Sequence, residues 1–446
     1  MSIRRFIARI AAKFVHFCLK LAGKGATALP GKIAIKICPN IIELEAKGKR
    51  IIIITGTNGK TTTTHMIADI LADMGYEVCT NSAGANLAIG IATAMICKKT
   101  KGNKGSEKVY VLEVDEGAFS KIAGALNPEV CLVTNIYEDQ LDRYGSLDGI
   151  YAYIKKGIEA TNAKIVINGD NSYVNKLETI CPERTVFYGL DGKSVKFNSV
   201  KYADKVPYLV NSREDSNRKW KFDVKYDLGS SPSVEGFTFD IGMDDEYKNL
   251  ELRIPGFHNL YNTCAAVAAI TTFVSIGNEG EERKLFEKVV DYAAGIKSAF
   301  GRMEKFRIDD KRICMLLVKN PAGYESSLDL ACEVDDLGAW MVLLNNTESD
   351  GRDISWIENV DFEGRVGKLP EKVYVSGSCY KELEERLTKA GFKVVAEDTP
   401  MAMELFKKAL SECPKDKCLY LLPNYTAMFN IRGRISEQFG LKLVNE

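Results

Sequence analysis

Two glycines, a lysine and four threonines are packed into Thr55-Gly56-Thr57-Asn58-Gly59-Lys60-Thr61-Thr62. The run follows Ile51-Ile52-Ile53-Ile54 and precedes a segment that carries Met66, Ile67, Ile70 and Leu71 on one helical face. Glycines permit a tight turn with exposed amides, and those amides together with a helix N-terminus hold phosphate oxygens. Lys60 offsets the charge of the β- and γ-phosphates, and the Thr61 hydroxyl is a ligand for Mg²⁺. Gly56, Thr57, Asn58, Gly59, Lys60, Thr61 and Thr62 are therefore the candidate nucleotide-binding residues, against the plainer reading of a structural glycine turn. The strict eight-residue phosphate-loop pattern needs a glycine where Ile54 stands, so this loop is a shortened form. A second candidate is Glu113, at the end of the strand-like Val109-Tyr110-Val111-Leu112, where an α/β sheet exposes its carboxyl edge. A carboxylate there takes the metal that bridges nucleotide phosphates, which makes Thr61 and Glu113 the Mg²⁺ ligands. The alternative for Glu113 is an ion pair with Lys60 or another base; Asp115 and Glu116 follow directly.

Such residues need a frame. The isoleucine run reads as a strand buried on both faces of a parallel sheet, and residues 109–114, 130–134 and 164–168 continue the pattern, with helical segments between them. From about 191 to 250 the texture changes to short, polar, strand-like pieces, read as a small β-rich insert. Near Gly301 a further α/β domain begins, with strands expected at 313–318, 340–344, 373–375, 393–396 and 419–422. The fold class is α/β: an ATP-binding domain on a parallel sheet carrying an inserted β subdomain, followed by a Rossmann-like C-terminal domain. The boundaries are 1–45 for an N-terminal helix and lead-in, 46–299 for the central domain with its insert at 191–250, and 300–446 for the last.

Composition sets limits. The chain has 446 residues, 46% of them apolar and 27% charged, too long for one core and too hydrophobic for disorder. Sixty basic residues balance sixty acidic ones, so no overall field draws the molecule to nucleic acid. None of the twelve cysteines stands in a C-x-x-C pair, and most sit in apolar runs; buried thiols in a reducing cytoplasm are expected, and no zinc site. Ile3, Phe6, Ile7, Ile10, Phe14, Phe17, Cys18 and Leu21 recur at helical spacing, with Arg4, Arg5, Arg9, Lys13 and Lys20 on the other face. This basic amphipathic helix has two readings: it lies on an anionic membrane surface, or it packs on its own protein. It is no signal peptide, and no stretch reaches the ~18 apolar residues of a membrane span. Leu29-Pro30-Gly31-Lys32 reads as a turn.

The motifs together resemble the Mur ligase superfamily. T-G-T-N-G-K-T-T is its shortened phosphate loop, Glu113 matches its metal-binding glutamate, and the segment from Asn135 to Asp142 is similar to its N-x-x-x-D-H-x-D motif, with Gln140 in place of the histidine. Pro255-Gly256-Phe257-His258-Asn259 is similar to its adenine-contact segment, which implies that Asn259 meets the base; Gly301-Arg302-Met303-Glu304 is similar to its G-R-x-E motif, which implies that Arg302 reaches the phosphates. Lys155 stands near the position of a carbamylated lysine in some members, a match of spacing alone that leaves an ordinary surface lysine as the better reading. Within the superfamily, Asp139-Gln140-Leu141-Asp142-Arg143-Tyr144-Gly145, Lys319-Asn320-Pro321-Ala322-Gly323, Asp350-Gly351-Arg352-Asp353-Ile354-Ser355-Trp356 and Leu422-Pro423-Asn424-Tyr425-Thr426-Ala427-Met428 resemble the MurT-type synthetase subunits of lipid II isoglutaminyl synthases.

That resemblance implies ATP and Mg²⁺, with Lys319 approaching the γ-phosphate, and amidation of the α-carboxyl of D-isoglutamate in the lipid II stem peptide through an acyl phosphate, a step of peptidoglycan synthesis. It implies a GatD-like class I glutamine amidotransferase as the partner in a heterodimer, whose Cys-His-Asp triad is completed by Asp350, or by Asp353. It places the protein in the cytoplasm, at the inner face of the membrane where the first helix lies on a membrane surface. One departure stands out: the family's four-cysteine zinc ribbon has no counterpart, since residues 191–250 contain no cysteine. The competing readings are an amino-acid ligase of folylpolyglutamate or cyanophycin synthetase type, and a nucleotide-binding assembly subunit without catalysis.

Overall fold

A computed structural model describes residues 3–22, 26–81, 84–137, 144–190, 221–225, 237–252, 258–296, 304–318, 320–333, 336–347, 350 and 352–441. The described residues 3–225, 238–252 and 259–296 form one compact unit, and residues 304–441 form a second.

The first unit opens with three helices, α1 (Ile3–Leu21), α2 (Leu29–Ile37) and α3 (Ile41–Ala46). It continues through β1 (Arg50–Thr55), α4 (Lys60–Asp73), β2 (Glu77–Thr80), α5 (Ala88–Cys97), β3 (Lys101–Gly102), β4 (Lys108–Glu113), α6 (Glu116–Leu126) and β5 (Val130–Val133). Then follow α7 (Leu147–Glu159), β6 (Lys164–Asn168), α8 (Ser172–Asn175), β7 (Thr185–Leu190), β8 (Phe222–Lys225), β9 (Phe237–Met243), β10 (Glu246–Leu252), α9 (His258–Ser275) and α10 (Glu282–Ala293). The ten strands form one sheet in the order β10-β9-β8-β7-β6-β5-β1-β4-β2-β3. It is parallel from β2 through β8, with β3 and β9 pairing antiparallel near its two ends. All four isoleucines of β1 are fully buried, because helices cover both faces.

Two local readings change. The expected turn at residues 29–32 is the first turn of α2: Pro30 costs nothing there, since first-turn amides have no intrahelical acceptor to lose. Gly31 lets α2 lie directly on α5, where a Cβ would fall 1.9 Å from the Ile89 carbonyl oxygen. The strands of the expected β-rich insert, β8 to β10, extend the main sheet at one end; the bulk of that segment, residues 191–220 and 226–236, lies outside the described residues.

The second unit contains β11 (Glu304–Ile308), β12 (Lys311–Met315), α11 (Pro321–Glu333), β13 (Leu337–Leu343), β14 (Lys372–Ser376), α12 (Tyr380–Ala390), β15 (Lys393–Ala396), α13 (Ala402–Glu412), β16 (Cys418–Pro423) and α14 (Tyr425–Phe439). Its sheet runs β11-β12-β16-β13-β14-β15, parallel except for the β11/β12 hairpin. Alternation along β13 divides the core: Trp340 and Val342 join one apolar cluster with α11 and α12, while Ala339, Met341 and Leu343 join another with α13 and α14. The first cluster is bordered by the buried guanidinium of Arg365, which donates to Glu325 and, at 2.6 Å, to Asp329, both on α11. Removing that cation strands two carboxylates beside the core, so Arg365→Met destabilises the second unit by about 2–4 kcal/mol. Urea titration followed by the fluorescence of Trp340 and Trp356, in a Trp220→Phe background, measures it; an unchanged midpoint contradicts the assignment.

Candidate functional site

Parallel sheets offer a crevice wherever two neighbouring strands send their chains to opposite faces, and ligands bind at the carboxyl ends there. β1 and β4 are such a pair. The chain leaving β4 enters α6, whose Ala118, Phe119 and Ile122 join the cluster that includes Ile51 and Ile53, while no side chain of α4, which follows β1, belongs to that cluster. The loop of residues 56–59 caps the crevice.

Gly56 and Gly59 have φ of +117° and +81°, and Gly59 is the residue that turns the chain into α4. A Cβ on Gly56 would meet Thr134 Oγ1 at 2.5 Å, and one on Gly59 would meet Asn262 Oδ1 at 2.4 Å, so side chains are excluded at both. Neighbouring residues fix the loop: Asn135 accepts from the Thr57 amide at 2.8 Å through its carbonyl and from the Asn58 amide at 2.8 Å through Oδ1. Thr134 donates its hydroxyl to the Asn58 carbonyl at 2.7 Å, and Thr57 Oγ1 accepts from the Tyr137 amide at 3.0 Å. Lys60, 6% exposed, curls its ammonium back to the carbonyls of Gly56 and Thr57 and pairs with Glu116 Oε1 at 2.8 Å.

Glu113 does not take Lys60. It accepts the Thr61 hydroxyl at 2.7 Å and the Asn86 amide at 3.2 Å, and its own backbone is held by Asn81, which accepts from the Glu113 amide and donates to its carbonyl, both at 2.9 Å. Asp115 caps α6, accepting from the amides of Gly117 and Ala118 at 3.1 Å. Tyr144 donates its hydroxyl to Asp115 Oδ2 at 3.0 Å and lies 3.5 Å from Glu116 Oε2. Asn81 and Asn86 are thus parts of the site that motif spacing missed, the available signal being a small, polar loop; Tyr144 lies within the Asp139–Gly145 motif but its contact with Asp115 does not follow from spacing. Glu113, Asp115 and Glu116 are 4%, 6% and 5% exposed, and among the described residues Lys60 pairs with Glu116. The Thr61 hydroxyl and a Glu113 carboxylate oxygen, 2.7 Å apart in a buried setting, are oxygen donors of the kind that fit a hard divalent cation. The N-terminus of α4, which begins directly after Gly59, fits phosphate.

α9 delivers the remaining described residues. Asn259 is buried and accepts from the Asn262 side chain at 3.0 Å, and Asn262 Oδ1 also accepts from Thr63 Oγ1 at 3.3 Å, which ties α9 to α4. Beside the loop, Tyr137 is half-buried and its phenol is pushed up to about 12 by burial. Lys155 sits on the surface of α7, 3.9 Å from Glu159. Arg302, Lys319 and residues 138–143, including Gln140, lie outside the described residues.

The second unit has its own crevice, where β13 and β16 lie side by side and the following segments go to opposite faces. Asn345, after β13, and Asn424, after β16, lock the two ends: the Asn345 amide donates to Asn424 Oδ1 at 3.1 Å, and Asn424 Nδ2 returns to the Asn345 carbonyl at 2.6 Å. Asp350 stands on this base. Its carboxylate accepts from the Thr426 amide at 2.8 Å, from Thr426 Oγ1 at 2.5 Å and from Thr347 Oγ1 at 2.6 Å. A carboxylate has about four acceptor positions, so one is left for an outside donor. Asp353, by contrast, closes a local turn by accepting from the Ser355 amide at 2.8 Å, a bond that holds its carboxyl below the usual range.

The Mur ligase middle domain family matches residues 54–270, and the MurT ligase C-terminal family matches residues 317–428. The chain is 30% identical to the lipid II isoglutaminyl synthase (glutamine-hydrolyzing) subunit MurT of Streptococcus pneumoniae, over 98% of each chain, and 29% identical to the MurT subunit of Staphylococcus aureus, over 98% of this chain and 99% of that one. In fold it is similar to a crystal structure of MurF from Acinetobacter baumannii, with a TM-score of 0.66 at 15% identity, covering 92% of this chain and 80% of the other. A correspondence that runs through both units and from end to end settles kinship: this chain belongs to the MurT family of the Mur ligases.

Proposed function

We propose that this chain spends ATP to convert the α-carboxyl of the D-isoglutamyl residue in the lipid II stem peptide into the amide of D-isoglutamine. The observation that carries the reading is the constellation of Lys60, Thr61 and Glu113, buried together at a strand-to-helix turn built for phosphate. A carboxylate oxygen of the substrate attacks the γ-phosphorus, the bond from that phosphorus to the β–γ bridging oxygen breaks, and ADP leaves. The nitrogen lone pair of ammonia then attacks the carbonyl carbon of the acyl phosphate. Inorganic phosphate departs with the former carboxylate oxygen, and the nitrogen loses a proton.

Positioning and charge stabilisation are the protein's contribution. Lys60, assisted by Arg302 and Lys319, offsets the charge of the transferring phosphoryl group, and Gly56, Thr57, Asn58, Gly59 and Thr62 line the phosphate path. Asn259 is assigned to the adenine end. Thr61 and Glu113 would hold Mg²⁺, which would neutralise charge on the phosphates. Ammonia comes from a GatD-like class I glutaminase subunit on the cytoplasmic side, and Asp350 serves that subunit's triad by orienting its histidine and stabilising the charged imidazolium. Support for Asp350 over Asp353 comes from its three donors and remaining acceptor position, where Asp353 is spent on a turn.

Lys60→Ala lowers amidation of lipid II, measured with ammonium chloride as the nitrogen source, by about 10²–10³-fold. A variant as active as the parent removes Lys60 from the chemistry. Asp350→Asn, assayed in complex with the glutaminase, lowers glutamine-driven amidation by about 10³-fold or more and leaves ammonium-driven amidation intact. Asp353→Asn leaves both intact; loss of glutamine use in that variant alone reassigns the triad to Asp353.

A further inference from the structure

Helix α1 packs on the first unit by its small side. Ala8 and Ala12 are fully buried, and Arg5 Nε donates to Glu45 Oε1 at 2.8 Å, with Arg9 Nε 3.8 Å from the same oxygen. The large apolar residues face the other way. Ile3, Phe6, Ile7, Ile10, Phe14, Phe17 and Leu21 are 49–77% exposed, and at 3.6 residues per turn they fall within an arc of roughly 100°. Lys13 and Lys20 border one side of that arc and Arg4 borders the other, all three exposed. Seven large apolar side chains left in solvent on one helix need a cover, since a soluble monomer rarely tolerates such a patch without an interaction to make.

Charge identifies the cover. Eight Lys and Arg precede the first acid of the chain, Glu43, although the whole sequence has a formal net charge of zero, so the rest of the molecule is acidic by eight. The cations are concentrated on the segment that carries the apolar arc. Packing two copies of α1 face to face would bring Lys13 and Lys20 of both together with no acid on either helix to offset them. No helix among the described residues is long and apolar enough to cross a membrane, which leaves an orientation along the surface. We propose that α1 is an in-plane membrane anchor: its seven-residue apolar arc enters the headgroup boundary of an anionic bilayer, with Arg4, Lys13 and Lys20 at the phosphates. The inference rests on the proposed function in one respect, that a lipid-linked substrate gives the enzyme reason to be at that surface. Its evidence, exposure and charge, is independent of that reading.

Sedimentation of the full-length chain with vesicles tests it. Phosphatidylglycerol mixed with phosphatidylcholine retains the protein, and phosphatidylcholine alone retains it about tenfold less or weaker. Phe14→Ser combined with Phe17→Ser lowers binding to the anionic vesicles about tenfold or more, with the thermal melting unchanged because both side chains are already exposed. Amidation of detergent-solubilised lipid II stays at the parent rate in this variant, so loss of vesicle binding with full amidation supports the anchor, and loss of amidation by Lys60→Ala with normal vesicle binding concerns the active site alone. Equal binding of parent and variant to anionic vesicles overturns the proposal. So does the absence of vesicle binding by the parent, or a variant that instead dissociates a homodimer or the complex with the glutaminase in gel filtration.

Discussion

An ammonium group buried to 6% exposure is the feature on which the first unit depends. Desolvating Lys60 costs several kcal/mol, and its contacts with Glu116 and the carbonyls of Gly56 and Thr57 offset that cost only in one loop geometry. The geometry requires positive φ at Gly56 and Gly59, the clamp by Thr134 and Asn135, and the approach of Asn262 from α9. Each comes from a different element of the sheet, so the loop is set by the whole unit. Glu113 and Asp115 have other partners: the first accepts the Thr61 hydroxyl and the second caps the helix that Glu116 begins.

The same topological device recurs in the second unit. β13 and β16, like β1 and β4, are adjacent parallel strands whose chains part to opposite faces, and the polar residues gather where they part. In one crevice the outcome is a buried lysine held in a glycine turn; in the other it is a carboxylate, Asp350, fixed by Thr347 and Thr426 on a base of paired asparagines. Cys79 is pushed up to about 11, and Cys131 and Cys314 to about 12, by burial, which keeps them protonated and inert.

Much of this frame was legible in the sequence, for physical reasons that also mark where legibility ended. Four consecutive isoleucines followed by a glycine-containing loop leave little choice beyond a buried strand and a phosphate turn, and the β-branched residues of β4, β5 and β6 and the apolar run of β16 read equally well. β2 was missed because four residues, two of them Glu77 and Thr80, carry no pattern of their own and become a strand only through pairing with β4. Strands β8 to β10 looked like a separate module, since local texture does not report that their partners lie in the main sheet. The acids near the loop were visible as a group, but which one meets Lys60 was not: the start of α6 turns Glu116, rather than Glu113, toward the ammonium. In α1 the amphipathic period was plain while its orientation was not. Ala8 and Ala12 allow close approach to the body of the protein, and this small-residue contact, rather than the aromatic stripe, is the one that packs.

The central claim is that the phosphoryl group held near Lys60 passes to an acid before nitrogen arrives. Lipid II labelled with ¹⁸O in the α-carboxyl of its D-isoglutamyl residue, amidated with ATP and ammonium chloride, decides it by mass spectrometry of the released phosphate. The account predicts one ¹⁸O transferred to inorganic phosphate for each amide formed. Amide formation with unlabelled phosphate would contradict it.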